Sequence, residues 1–281
     1  MIGLILACVL ALAVGWVSLR LLQRRARREI KHIAAKLESA AGDPARQVDF
    51  SELVNLPEVV QRYLRHVLQD GQQIAHVTRL LQRGTLRTST TSPRWLSFDA
   101  EQVIAPHAPG FLWVARIRLL PWLNLLVCDS FVDGCGAGDV RLLSALRIAA
   151  DRGHRELDEA GLHRYLAEAV WSPSALLPGS GVHWSALDEE SALATIKVKD
   201  VSVSLEFRFN AHGEVSSVYS EGRWMRAGNG YQQRPWQGRF SDYASRSGMR
   251  VPLRAEVAWL DASGWQTVWK GRIEEIACEV S

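Results

Sequence analysis

Cysteine is scarce in this chain and poorly placed for cross-linking. Cys8 lies in an uncharged N-terminal run, and Cys128, Cys135 and Cys278 leave an odd number behind, so free thiols in a reducing compartment are the simpler reading. Charge of one sign is almost absent too. The formal net charge is only +3 over 281 residues, and the basic surplus sits just after the first apolar run, which gives a nucleic-acid partner no support. No Cys-x-x-Cys or Cys/His pair has zinc-ligand spacing. Glu159 and His163 share a helix face without a third ligand and read as a surface pair, so no metal and no cofactor is expected. A Gly-x-Ser-x-Gly elbow is missing. The segment Asp133-Gly-Cys-Gly-Ala-Gly138 lacks both the spacing of a dinucleotide loop and the Lys-Ser/Thr of a phosphate loop, and reads as a turn or bulge between strands.

What the chain has in quantity is apolar residues, 47% of the total, and tryptophan, eleven in all. Residues 1–19 carry no charged side chain and are about long enough to cross a bilayer's hydrocarbon. Arg20, Arg24, Arg25, Arg27, Arg28 and Lys31 follow, whereas a cleaved signal peptide would carry its positive charge ahead of the apolar stretch. The expectation is a retained single-pass anchor in the inner membrane over residues 1–22, with the basic flank and the main domain on the cytoplasmic side. Residues 23–48 form a basic juxtamembrane helix and linker, amphipathic through Ile30, Ile33 and Leu37 until Gly42-Asp43-Pro44 breaks it; residues 49–281 form the main domain.

In that domain Val59, Val60, Tyr63, Leu64, Val67 and Leu68 repeat at helical spacing, which predicts a helix over 56–69, begun by a capping box at Asn55-Leu-Pro-Glu58. Arg62 and Arg65 lie off that stripe, on a solvated face. From about residue 74 the period becomes two. Phe98 and Ala100 alternate with Ser97 and Asp99, Phe111, Trp113, Ala115 and Ile117 with a series that includes Arg116 and Arg118, and Val201 to Phe209 with Ser202, Ser204, Glu206 and Arg208. Residues 140–150 suit a strand or a short helix equally. Short turns such as Ala211-His-Gly213 and Asp261-Ala-Ser-Gly264 join the runs, and nothing supplies βαβ crossovers, so the reading is α+β, mainly β: a large antiparallel meander.

One helix interrupts it, over about 158–171, with Asp158 as its cap. Leu162, Leu166, Ala169 and Val170, with Tyr165 at the edge, form an apolar arc; Arg164, Glu168 and Trp171 gather opposite. A tryptophan on the supposed wet side implies that both sides are covered. Arg164 and Glu168 can pair along the helix, and burial of Trp171 would draw the pair inward, where pairing becomes obligatory.

Leu56-Pro57 with Arg62-Tyr63-Leu64, and Arg164-Tyr-Leu-Ala-Glu-Ala-x-Trp171-x-Pro173, resemble the signature of a bacterial family of unknown function with membrane-anchored members. Pro235-Trp236-x-Gly238, Gly248-x-x-x-Pro252 and Trp259 fit the same pattern, so the resemblance spans most of the chain after residue 50 but implies no activity. More loosely, a helix followed by a long meander is similar to the lipoprotein carriers of the LolA kind. That likeness implies a curved half-barrel with an apolar concave face and a helix lying across it.

In a half-barrel the inner face is too wide for its own side chains to close, and Trp113, Trp259, Trp265 and Trp269, otherwise core packing, would line a ligand-sized cavity. The leading expectation is a cavity for a lipid or other apolar molecule, without chemistry, lined by Trp113, Arg164, Tyr165, Glu168, Trp171 and Trp259. A scaffold for a membrane complex is the alternative. A hydrolase would need Glu168 and a second carboxylate, which Asp129 or Asp133 supplies only if its strand faces the helix.

Overall fold

The computed structural model describes residues 1–40, 46–228 and 230–280, and the break expected at Gly42-Asp43-Pro44 lies outside them. The helix formed by the uncharged N-terminal run does not end where the arginines begin. It continues as one helix, α1 (Ile2–Ala40), with no interruption between the apolar stretch and the amphipathic one. Among the described residues this is the one helix long and apolar enough to cross a membrane, and its most apolar window has no protein cover. Its second half does: Ala26 and Leu37 are buried, and Ile30, Ile33 and Ala34 pack with Val77, Val103, Leu112 and Cys128 on one face of the sheet.

Thirteen strands form that sheet, all paired antiparallel, in the order β6-β5-β4-β3-β2-β1-β13-β12-β11-β10-β9-β8-β7. The first half comprises β1 (Val77–Leu86), β2 (Leu96–Ala105), β3 (Gly110–Leu120), β4 (Leu123–Val132), β5 (Cys135–Leu142) and β6 (Leu146–Arg152). The second comprises β7 (Val182–Ala186), β8 (Ser191–Val198), β9 (Val201–Phe209), β10 (Val215–Ala227), β11 (Gly230–Arg246), β12 (Met249–Asp261) and β13 (Gly264–Glu279). Each half is a meander, and β13 closes the two together by pairing with β1 from Val77↔Glu279 to Leu86↔Trp269. The ambiguous stretch 140–150 is a hairpin of β5 and β6, and Asp133-Gly134 is the tight turn before it, with φ of 60° and 83°.

This topology dictates where the central helix lies. β6 and β7 are the two outer edges of the sheet, so the chain between them must cross the concavity. It does so as α3 (Arg155–Glu168), followed by a single 3-10 turn Ala169–Trp171 and further short turns to Ser180. The sheet with this helix inside it is a half-barrel. The helix starts earlier than its sequence predicts, with His154 at the N-cap. Asp158 does not cap it: its Oδ1 accepts the Gly136 N–H at 2.6 Å. The reason is local to the sheet. β6 stops at Arg152, opposite Ala137, which leaves the Gly136 N–H without a strand partner on that side. Gly136 is also where helix and sheet touch, since a Cβ there would come within 2.5 Å of the Leu157 carbonyl.

Both flanks of the helix are covered, as Trp171 implied. Leu162, Tyr165 and Leu166 join Leu80, Ile104, Phe111 and Phe131 in the inner core, each at most 2% exposed. Burying one such side chain contributes about 1.5–3 kcal/mol. The remaining helix, α2 (Glu58–Val67), adds Val60, Tyr63 and Leu64 to the same core, with Tyr63 tilted on Phe209 at 5.5 Å, while Arg62 and Arg65 stay exposed. No capping box forms: Pro57 occupies the N-cap without a side-chain bond, and Gln61 Nε2 reaches back to the Leu56 carbonyl at 2.9 Å.

Candidate functional site

Strand register lines up three polar groups on the inner face. Gln102 of β2 faces Trp113 of β3, which faces Asp129 of β4, and Gln82 of β1 stands beside them. Gln82 Nε2 donates to Gln102 Oε1 at 2.7 Å, and Trp113 Nε1 donates to Gln82 Oε1 at 2.9 Å. Gln102 Nε2 then donates to Glu168 Oε2 at 2.6 Å, which carries the row onto α3. Glu168 Oε1 accepts from Arg164 Nε at 2.8 Å, and Arg164 Nη1 donates to Asp129 Oδ2 at 2.9 Å, closing the circuit between helix and sheet. The Arg164 guanidinium lies 4.8 Å from the Phe111 ring and 4.9 Å from that of Trp113.

A second arginine enters from the opposite wall. Arg223 of β10 lies 4.9 Å from the Trp236 ring and 5.2 Å from that of Trp259. Each contact contributes about 0.5–2 kcal/mol, more as water is excluded. Its Nη2 donates to the Ala160 carbonyl at 3.1 Å, but its Nε is buried with no hydrogen-bond partner among the described residues. Two cations and two anions thus meet beneath α3 with no net charge.

Their surroundings set their affinity for protons. Burial raises the Asp129 carboxyl above the ordinary range, only partly opposed by Arg164. Burial works against the charge of Arg164, but Glu168 and Asp129 more than restore it. Arg223 is pushed down to about 10 by burial and then by Arg164. The Asp129 side chain is nevertheless 38% exposed, against 20% for Arg164 and 16% for Glu168. It projects from the inner face of β4 towards Arg164, opposite a bare glycine, Gly138 of β5, whose Cβ position lies 3.5 Å from Asp129 Oδ1.

The polar row divides that interior. On one side lies packed core. On the other, Leu96, Phe98, Ala115 and Ile117 are buried as well, Phe98 stacking on Trp269 at 5.6 Å, while Leu86, Leu119, Leu125, Val127, Val257 and Trp269 are partly buried and continue the apolar surface towards the strand tips. A groove of 660 Å³ also exists on the outer face, over β1, β11, β12 and β13, lined by Arg83, Arg239, Arg254 and Lys270.

Of the six sequence-derived candidates, Trp113, Arg164 and Glu168 meet directly, and Trp259 joins through Arg223. Tyr165 and Trp171 sit in the packed core instead. The Tyr165 hydroxyl donates to the Pro106 carbonyl at 3.1 Å, and Trp171 Nε1 to that of Pro252 at 3.0 Å. Asp129 does face the helix; Asp133 does not, and its carboxylate pairs with Lys199 at 2.8 Å and Lys36 at 3.5 Å on the surface. The Glu159–His163 surface pair does not form. His163 is buried and its Nδ1 meets the Glu159 backbone carbonyl at 3.0 Å, while Trp224 Nε1 donates to the Glu159 carboxylate. Trp265 is 39% exposed and packs edge-on to Tyr219, not into the core.

Sequence reading did not place Gln82, Gln102 or Arg223 in the site, and named Trp236 within the family signature alone. The glutamines had a signal: each interrupts an apolar alternation, Leu80-x-Gln82 and Ala100-x-Gln102-x-Ile104. Arg223 had none, because the register shift between Ser220 and Arg223 breaks the alternation that would have placed it.

No curated protein matches the chain. Among solved structures it is similar to a LolA superfamily protein from Nitrosomonas europaea, at 10% identity and a TM-score of 0.42, over 79% of this chain and 92% of that one. It is also similar to a beta-barrel-like protein of the domain of unknown function DUF1849 from Brucella abortus, at 10% identity and a TM-score of 0.23, over 73% and 98%. Neither likeness bears on what this chain does. The family expected from the Arg164-Tyr-Leu-Ala-Glu-Ala signature is another matter: residues 54–277 match the family of unknown function DUF6920, and the chain belongs to it.

Proposed function

We propose that this chain is a single-pass membrane protein whose half-barrel holds a lipid or another apolar molecule, the polar end of that molecule meeting Arg223 and the Asp129–Arg164–Glu168 cluster. One observation carries this reading: a charged cluster in which Asp129 is 38% exposed and Arg223 Nε has no partner among the described residues stands at the inner end of a row of partly buried apolar side chains. Ligand sites combine a mostly apolar lining with a few convergent polar groups, and an arginine held between aromatic rings can bind a phosphate or carboxylate headgroup.

In this reading residues 1–22 cross the inner membrane, residues 23–48 form the basic juxtamembrane helix and linker, and residues 49–281 lie on the cytoplasmic side, in keeping with the arginines that follow the apolar run. Chemistry is not assigned to the site, because both carboxylates bind the same guanidinium.

Native mass spectrometry of the full-length protein released from a mild detergent tests the proposal. The expected result is a retained lipid or apolar molecule that Arg223→Met weakens and Val127→Trp, which adds bulk on the inner face beside Asp129, expels. Lipid-free protein, or a stoichiometric protein partner in place of lipid, would overturn it.

A further inference from the structure

The three hairpin loops at one end of the first half of the sheet are tied to one another and to α1. Arg94 of the β1–β2 loop donates from Nη2 to the Leu119 carbonyl beside the β3–β4 turn, at 2.7 Å. Asn124, just past that turn, accepts the Leu143 N–H of the β5–β6 turn at 2.9 Å and the Ser144 hydroxyl at 3.1 Å. Gln23 of α1 donates from Nε2 to the Leu143 carbonyl at 3.0 Å. The far end of α1 reaches the opposite end of the strands, where Lys36 pairs with Asp133 and the His76 ring meets the Glu38 carbonyl at 2.7 Å.

Gln23 directly follows the anchor expected over residues 1–22, and α1 runs unbroken through both. Successive helical residues rise about 1.5 Å, so the β5–β6 turn, bonded to Gln23, lies within about one helical turn of the end of that stretch. The same end of the sheet exposes Trp122 (72%), Ile148 (58%), Leu146 (48%) and Leu120 (45%), with Arg94 held beside Leu119 and with Arg20 and Arg24 on the α1 turns that flank Gln23. Leu86, Leu119 and Leu125, the partly buried inner residues, lie just inside it.

We infer that this end of the half-barrel rests on the bilayer that α1 crosses, with Trp122 and Leu146 in the headgroup layer and the open apolar interior facing the lipid. Tryptophan is favoured at that depth, and arginines beside it favour anionic headgroups. The inference rests on the membrane-spanning reading of residues 1–22 and adds the surface and the direction in which the interior opens.

The test places single nitroxide labels in the full-length chain, its four cysteines first replaced by serine, in vesicles of phosphatidylethanolamine and phosphatidylglycerol. Labels at Trp122→Cys and Leu146→Cys should lose access to a water-soluble nickel reagent and gain access to oxygen, relative to Leu187→Cys at the opposite end of the strands. A label at Leu10→Cys reads the anchor itself. Lipid exposure at residue 10 with full nickel access at residue 122 would overturn the docking surface alone; nickel access at residue 10 would overturn the anchor reading with it. Brominated lipid gives the same answer without added cysteines: Trp122→Phe should remove part of the quenchable tryptophan fluorescence, and an unchanged quenched fraction counts against the inference.

Discussion

Arg164 of α3 is bound to Asp129 of β4 at 2.9 Å, so the helix that crosses the half-barrel is fastened to the sheet by charge as well as by packing. Glu168 shares the same guanidinium at 2.8 Å. Removing the arginine leaves two carboxylates facing each other, and breaking a buried pair in this way costs about 3–5 kcal/mol. Arg164→Met should therefore lower the thermal midpoint sharply, while Asp129→Asn, at the most exposed member of the cluster, should cost about 1 kcal/mol. Circular-dichroism melts of the detergent-solubilised variants check this; equal and small effects would mean that packing alone holds the helix.

His163 should make the protein acid-sensitive in a defined window. Burial, then the nearby positive charge of Arg223, push its imidazolium down to about 4 from the ordinary 6.5. A depressed histidine stays neutral in the folded state while the unfolded chain takes up a proton, so its contribution is complete above pH 6.5 and is lost as pH falls towards 4. At about 1.4 kcal/mol per unit, the loss across the window is about 3 kcal/mol. Replacement by a neutral residue, His163→Gln, should flatten the stability profile between those limits in pH-dependent urea unfolding.

Trp113 serves the cluster in two separable ways, as a ring beside Arg164 and as a donor to Gln82. Trp113→Phe keeps an aromatic face and leaves the buried Gln82 oxygen without that bond, which should cost about 1–3 kcal/mol. Pairing it with Gln82→Leu should recover part of the loss, and a double-mutant cycle that finds strict additivity would dissolve the proposed row.

The close approach of α3 to β5 depends on Gly136. A methyl group there would meet the Leu157 carbonyl at 2.5 Å, and Gly161→Ala would press on Phe131 at 2.9 Å. Each alanine should destabilise by about 1–3 kcal/mol through forced displacement of the helix. Gly230, with open space around it, supplies the control, where alanine should change the melting temperature little.

Cys128 reports on the docking of α1 to the outer face. Burial pushes its thiol up to about 12, and it lies under Ile30 and Ile33, whereas Cys135 is exposed. Maleimide at mild alkaline pH should modify Cys135 quickly and Cys128 only once denaturant has been added. Rapid labelling of both would show that the helix leaves the sheet readily.

Helical spacing in Val59 to Leu68 and two-residue alternation in strands such as Val201–Phe209 made the elements legible, because each period records which face is buried. The site was legible only in part. Arg164 and Glu168 declared themselves as a charged pair on a flank shared with a tryptophan, and Trp113 lay in a clear inward series. Tyr165 and Trp171 satisfied the same pattern but entered the packed core, since a helical wheel gives direction around an axis and not the depth at which a side chain stops.

By itself the sequence determined the class of most major elements, the stretch 140–150 excepted: an uncharged helix followed by arginines, a meander without crossovers, and one helix set among the strands. Those are consequences of local periodicity and of short turns, which force consecutive strands to be neighbours. The tertiary structure alone decided what meets beneath the helix. Closure of β13 on β1 joined the two meanders, the excursion from β6 to β7 drove α3 across the concavity, and the register shift in β10 turned Arg223 inward. Asp129, Arg164, Glu168 and Arg223 are up to 94 residues apart in the chain (223 − 129), and no local pattern encodes a contact made across that distance.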